Sequence, residues 1–309
     1  MTARTARLWQ WSVSVLLCAF VAIYARTVAW GEIVQSVRDA SAAWIALAVA
    51  AFMAGVVVRG VLWWTLLRAV GAPSFSLALR GMVLVTALQS IAVANAGEAG
   101  RVALVTRRTG IRVADVLATI AVERLLVTAV HVLMSLVIGF AVPLPPDLAR
   151  WRVWILAGLV ATAGLLGMLV RRSPPGAPQP GRIKQALQRF GSAIRAVSSA
   201  RRLLVAGSLA LIWWVCNAAV FHCAALAVGL PISPGASAIA FMMVSAGSIA
   251  HATPGNVGIV QVAYASTAHA LGLPTDQAIG VALLAQAVQS VPVMIAALPI
   301  LPELLAARG

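Results

Sequence analysis

Long apolar stretches dominate the chain, and a membrane-spanning helix needs about 20 mostly apolar residues in succession. Six stretches predict such helices: 8–25, which is marginal in length, then 42–67, 115–140, 153–170, 203–229 and 276–300. Two more, 77–107 and 236–272, are apolar but interrupted near their middles by AVANAGEAGR (92–101) and HATPGNVG (251–258). A spanning helix should not break there. Each is therefore predicted to bend, the first at NAGEAG and the second at TPGNVG, and to leave the membrane on the side it entered. The fold class expected is an all-α polytopic integral membrane protein with six full spans and two re-entrant broken-helix hairpins.

Composition agrees and removes other classes. Hydrophobic residues make up 61% of the 309, charged residues 10%, and the mean hydropathy is +0.96; soluble domains hold roughly 45–50% apolar and about 25% charged residues. A net charge of +15 and a pI near 11.8 would suggest nucleic acid in a soluble protein. Here they are better explained by positive charge placed at one membrane face, so no nucleic-acid partner is expected. Cys18, Cys216 and Cys223 each sit in an apolar run and read as small buried hydrophobes. The segment ending near Ala25, after Arg4 and Arg7, imitates a signal peptide, but its length and the spans that follow favour an uncleaved first span.

Orientation follows from the basic residues, which collect in cytoplasmic loops. Arg171 to Arg202 holds eight of them with a PPGAPQPG linker, so the basic linker 171–202 is taken as cytoplasmic, its amphipathic part 182–200 lying on anionic headgroups. Both hairpins then follow, 77–107 entering from the cytoplasm and 236–272 from outside. Of the 23 basic residues, 17 fall inside, four outside (Arg26, Arg38, Arg150, Arg152) and two within spans (Arg59, Arg124). Both termini are expected in the cytoplasm. Trp63 and Trp64, with five other tryptophans, fall near predicted span ends, where interfacial tryptophans collect; Trp213 and Trp214 do not.

The two interruptions align with each other. Gly97 falls on Gly255 and Gly100 on Gly258, 158 residues apart; downstream Gly110 falls on Gly272, Arg124 on Gln286 and Thr128 on Ser290, 162 apart. Each half, 1–142 and 153–302, reads span, span, hairpin, span, and the halves enter from opposite sides. Transporters built from inverted repeats use this layout, with broken helices forming the substrate site near the midplane.

Backbone broken inside a membrane must line protein or water, and a helix starting there offers amide hydrogens to an anion. Gly97, Gly100, Gly255 and Gly258 are expected to supply the unusual dihedrals of the bends, and Pro254 the break. Glu98, Arg101, Glu123, Arg124 and Arg59 would each cost about 2.5–3.5 kcal/mol at a lipid-exposed helix centre, so some must pair or face water. Arg124, Thr128, His131 and Ser135 share one helical face, and Gln286, Gln289 and Ser290 form a weaker version in the last span; these faces are expected to wall one polar cavity. Two simpler roles stay open: Arg59 snorkelling at its helix end, and a Glu123–Arg124 ion pair that only orients helices. His251, beside the second bend, is a further candidate. No metal-ligand cluster, cofactor motif or nucleophile triad is present in the sequence, and no enzyme is expected.

The order N-x-GE-x-GR (95–101, with Asn95), ER (Glu123, Arg124), TPG-x-x-G (Thr253, Pro254, Gly255, Asn256, Gly258) and GLPTDQA (272–278) resembles the lysylphosphatidylglycerol synthase transmembrane, or flippase-like, family over nearly the whole chain. That resemblance implies a bacterial inner-membrane protein moving a polar-headgroup lipid between leaflets, a phospholipid or a glycolipid- or hopanoid-type lipid. The chain departs from the family pattern at Gln261 and Gln286, where relatives often carry an acid and an arginine. It ends at Gly309 without the soluble aminoacyl-transferase domain of full-length relatives, so it is not expected to synthesise aminoacylated lipids. With no ATP motif, transport would be passive or ion-coupled. The alternatives are a secondary transporter of a small anionic or amphipathic solute and a non-catalytic partner of a lipid-modifying enzyme, and association into homo-oligomers stays open.

Overall fold

The computed structural model describes residues 35, 38–91, 96–141, 199–248 and 256–300. The expected spans 8–25 and 153–170 and nearly all of the 171–202 linker lie outside the described residues. Eight helices are described: α1 (Ala42–Leu67), α2 (Phe75–Ile91), α3 (Ala96–Thr109), α4 (Val113–Ala141), α5 (Ala200–Ala227), α6 (Pro234–Gly247), α7 (Ile259–Ala270) and α8 (Thr275–Ala297). Among the described residues there is no strand.

Helices α1, α4, α5 and α8 are long and apolar enough to cross a membrane, and they coincide with the four predicted spans in the described range. Their surfaces agree, since Leu133, Val137 and Phe140 of α4, Leu204 and Val215 of α5 and Ile295 of α8 are all exposed. Apolar surface of this extent is stable only against lipid or another protein. The protein is membrane-embedded.

Both interrupted stretches are two helices rather than one. Helices α2 and α3, of 17 and 14 residues, extend about 25 and 21 Å at 1.5 Å per residue, so the arms are nearly equal. They pack through Met82, Val85, Val102 and Val105. The first break differs from its expected place: α2 ends at Ile91 and α3 has begun by Ala96, so Gly97 and Gly100 lie inside α3 rather than at a bend. Neither has the positive φ expected of it. An alanine- and glycine-rich segment can continue a helix once Glu98 faces its positive amino end. Helices α6 and α7, of 14 and 12 residues, pack closely where Gly247 meets Ile259 and Ala263.

Local chemistry fixes the helix ends. The Ser74 hydroxyl accepts the Leu77 amide at the start of α2, and Ser233 does the same for Ala236 of α6, with Pro234 in the first turn. Gly110 after α3 and Gly272 after α7 take φ of 70° and 72°, the left-handed conformation that ends helices and favours glycine.

The described residues fall into two compact units that interleave along the chain. One lies within Met1–Ala51, Thr86–Gly97 and Ala218–Met294, the other within Phe52–Val85, Glu98–Asn217 and Ile295–Gly309. In the second unit, Trp63, Leu67, Ala78, Met82, Val105, Val116 and Ile120 form one core and Leu62, Leu66, Val122, Ala206 and Ala210 another. Trp63 is fully buried, so its expected place among interfacial tryptophans is corrected. In the first unit, Phe221 stacks on Tyr264 and lies against Phe241, while Ala265 of α7 packs on Ile279 of α8.

A packing prediction follows. A Cβ at Gly81 would lie 2.8 Å from the Trp63 ring, which is held on all sides, so Gly81→Ala should destabilise by about 1–3 kcal/mol. Gly207 has nothing within 4 Å of such a Cβ, and Gly207→Ala in mid-α5 should instead stabilise by about 0.5–1 kcal/mol. Thermal unfolding of both variants in one detergent measures the contrast.

Candidate functional site

Short helical spacings build a charged network in the second unit. Arg59 and Trp63 lie four apart on α1, Glu98 and Arg101 three apart on α3, and Thr119 and Glu123 four apart on α4, so each helix presents a pair on one face. Arg101 is the centre. Its Nε donates to Glu98, and its Nη1 donates to Glu123 at 2.7 Å and to the Met82 sulfur at 3.2 Å. Its guanidinium lies 4.7 Å from the centre of the Trp63 ring, within cation–π range. Trp63 is held in turn by its indole N–H, which donates to Thr119 at 3.1 Å.

The remaining charges attach to this centre. Arg59 Nε donates to the second oxygen of Glu123 at 2.7 Å, and its guanidinium sits 5.3 Å from the Trp213 ring. Arg124 Nη2 donates to the second oxygen of Glu98. Both Glu123 and Arg101 are fully buried, whereas the side chain of Glu98 is 14% and that of Arg124 43% exposed. Three guanidiniums face two carboxylates, leaving one positive charge. Arg101 Nη2 is buried and has no hydrogen-bond partner among the described residues.

Several sequence expectations change. Glu123 and Arg124 do not pair with each other; consecutive helical positions point about 100° apart, so Glu123 turns to Arg59 and Arg101 while Arg124 reaches Glu98. Arg59 is part of the network rather than a snorkelling residue. Thr128 is exposed. Ser135 is buried but spends its hydroxyl on the His131 carbonyl at 2.8 Å, and the His131 ring lies edge-on to Trp214. Sequence reasoning missed Met82, Trp63, Thr119 and Trp213; the spacing from Arg59 to Trp63 and from Thr119 to Glu123 was the available signal.

In the first unit the buried polar pair between α7 and α8 is neutral. Gln261, buried near the start of α7, accepts the Gly258 amide at 2.6 Å and donates to Gln286 of α8 at 2.6 Å. The first contact is a glutamine reaching back to cap its own helix. Gly258 has φ of 87° and Asn256 of 55°, so the unusual dihedrals expected of Gly258 are present. Asn256 directs its amide toward the Ser248 carbonyl at 3.5 Å, and His222 hydrogen-bonds Ser237 at 3.0 Å. Asn95, His251, Thr253, Pro254 and Gly255 lie outside the described residues. Among the described residues, no three His, Cys, Asp or Glu side chains converge to hold a metal ion.

The family model described as lysylphosphatidylglycerol synthase TM region matches residues 8–297. No curated protein matches the chain. The chain belongs to that family, as its motif order suggested.

Proposed function

We propose that this member of the lysylphosphatidylglycerol synthase TM-region family is a lipid translocase of a bacterial inner membrane. It moves a polar-headgroup lipid between leaflets, passively or coupled to an ion, and catalyses no covalent chemistry. The observation that carries this reading is the network of Arg59, Glu98, Arg101, Glu123 and Arg124, which joins α3 to the apolar helices α1 and α4 and holds one positive charge in excess. Ionised groups at membrane depth line pathways for polar cargo far more often than they face lipid. The network would hold the headgroup while acyl chains stay in the bilayer.

In this reading the chain has six full spans, two re-entrant hairpins, cytoplasmic termini and two inverted halves, 1–142 and 153–302. Several observations support the repeat. Helices α1 to α4 follow the order long, short, short, long, and α5 to α8 repeat it. The aligned Gly110 and Gly272 share one backbone conformation. The return helix of each hairpin is tied to the helix after it by side-chain bonds, Glu98 to Arg124 and Arg101 to Glu123 in the first and Gln261 to Gln286 in the second. Inverted repeats of this kind alternate access by rocking one half against the other.

Reconstitution tests the function. Vesicles holding the protein and headgroup-labelled phospholipid should exchange label between leaflets faster than protein-free vesicles, and Arg101→Gln should slow the exchange at least tenfold, the size expected for losing a hydrogen-bonded charge. Unchanged leaflet distribution over a broad panel of phospholipids and glycolipids would sink the proposal. Flux of a water-soluble organic anion in its place would identify a solute transporter.

A further inference from the structure

The two carboxylates of the network differ in a way that its overall charge does not explain. Glu123 is fully buried and receives Arg59 through one oxygen and Arg101 through the other, so it cannot leave without stranding Arg59 and stripping buried Arg101 of one of its two carboxylates. Glu98 lies in the first turn of α3, partly exposed, and joins buried Arg101 to half-exposed Arg124. One end of its contact faces the interior and the other faces outward.

Resting on the translocase reading above, we propose that Glu98 is a displaceable internal counter-ion. Its carboxylate holds the position on Arg101 and Arg124 that a phosphate group of the transported lipid takes over, while Glu123 remains as the permanent counter-ion. Carboxylate and phosphate present oxygens to a guanidinium in the same forked geometry, so one can replace the other. The exchange leaves neither arginine uncompensated, which avoids the cost of baring a cation inside the membrane.

The unpartnered Arg101 Nη2 is the second observation. Buried polar groups are almost always hydrogen-bonded, and a carboxylate has only two oxygens, both used here by Arg101 Nε and Arg124 Nη2. A phosphate carries further acceptor oxygens and can reach Nη2 as well. The Arg101 side chain leans toward the amino end of α3, since its Nε bonds the residue three positions earlier. Helix amide hydrogens at that end favour the same anion. A neutral glycolipid or hopanoid offers no charge to drive Glu98 off, so it is excluded as the cargo held here.

Calorimetric titration of the purified full chain in detergent tests this, with dihexanoylphosphatidylglycerol, inorganic phosphate and uncharged dioctanoylglycerol as probes. Glu98→Gln removes the competing charge and should bind the phosphatidylglycerol roughly tenfold tighter, with Glu98→Asp between it and the parent and dioctanoylglycerol unaffected. Equal or weaker phosphatidylglycerol binding by a Glu98→Gln variant with an unchanged Tm overturns the proposal; if that variant unfolds, Glu98→Asp binding no tighter than the parent overturns it. Tightening for phosphate as large as for the lipid upholds counter-ion exchange with a free anion, and it is then the lipid translocase reading that falls. Tightening for the lipid alone upholds both.

Discussion

Glu123→Gln is expected to destabilise the protein by about 3–5 kcal/mol, the cost of removing one partner from a buried ion pair. Arg59 loses its carboxylate partner and Arg101 one of its two, since each donates to a different oxygen of Glu123 at 2.7 Å while Arg101 keeps Glu98. The amide keeps the shape and one acceptor, but its NH2 group now faces a guanidinium. In a thermal scan this corresponds to a fall in Tm on the order of 10 °C. Adding Arg59→Met should recover part of the loss, because it removes one stranded cation from a position only partly buried. That recovery distinguishes electrostatics from packing: a Glu123→Gln variant within 0.5 kcal/mol of the parent, on the scale of an ordinary surface substitution, would mean that the network is not held together by charge. So would a double variant whose losses simply add.

The four long apolar helices of the described range and the two interruptions were legible in the sequence because lipid imposes a simple rule. Every backbone group must be satisfied within its helix, so apolar length predicts span and polar interruption predicts break. The rule reached α1, α4, α5 and α8 within a few residues and found both helix pairs. It misplaced the first break, since it took Gly97 and Gly100 as hinges when the chain had already resumed a helix at Ala96. Glycine permits a bend without requiring one.

The charged residues of the site were legible as a set, and their partners were not. Their place in apolar stretches indicated that some of Arg59, Glu98, Arg101, Glu123 and Arg124 must pair or face water. Which acid meets which base depends on how α1, α3 and α4 face one another within their unit, and sequence adjacency pointed the wrong way for Glu123 and Arg124. The aromatic supports were hidden for another reason. Trp63 near a predicted helix end reads as an interfacial anchor, yet its ring lies beneath Arg101 and its N–H on Thr119. Only the four-residue spacing from Arg59 indicated that it shared a face with a charge.

Gln261 and Gln286 give the other large expected effect. Gln286→Arg alone should cost about 2–4 kcal/mol, since it places a cation against a buried amide and pulls the Gln261 oxygen away from the Gly258 amide that it caps. Gln261→Glu alone should cost less, because a carboxylate keeps that cap and the Gln286 amide can rotate to donate to it. Together the two changes should recover most of the loss, with a coupling of about 2–3 kcal/mol, because the two side chains already meet at 2.6 Å. Chemical unfolding of the parent, both single variants and the double variant gives that coupling, and a value near zero would show that these positions do not exchange a bond for an ion pair. A recovered double variant would mean that the scaffold tolerates an acid and an arginine at these two positions. The neutral pair is then a retained contact between α7 and α8 without charge, and the proposed handling of an anionic headgroup would rest on the network around Arg101.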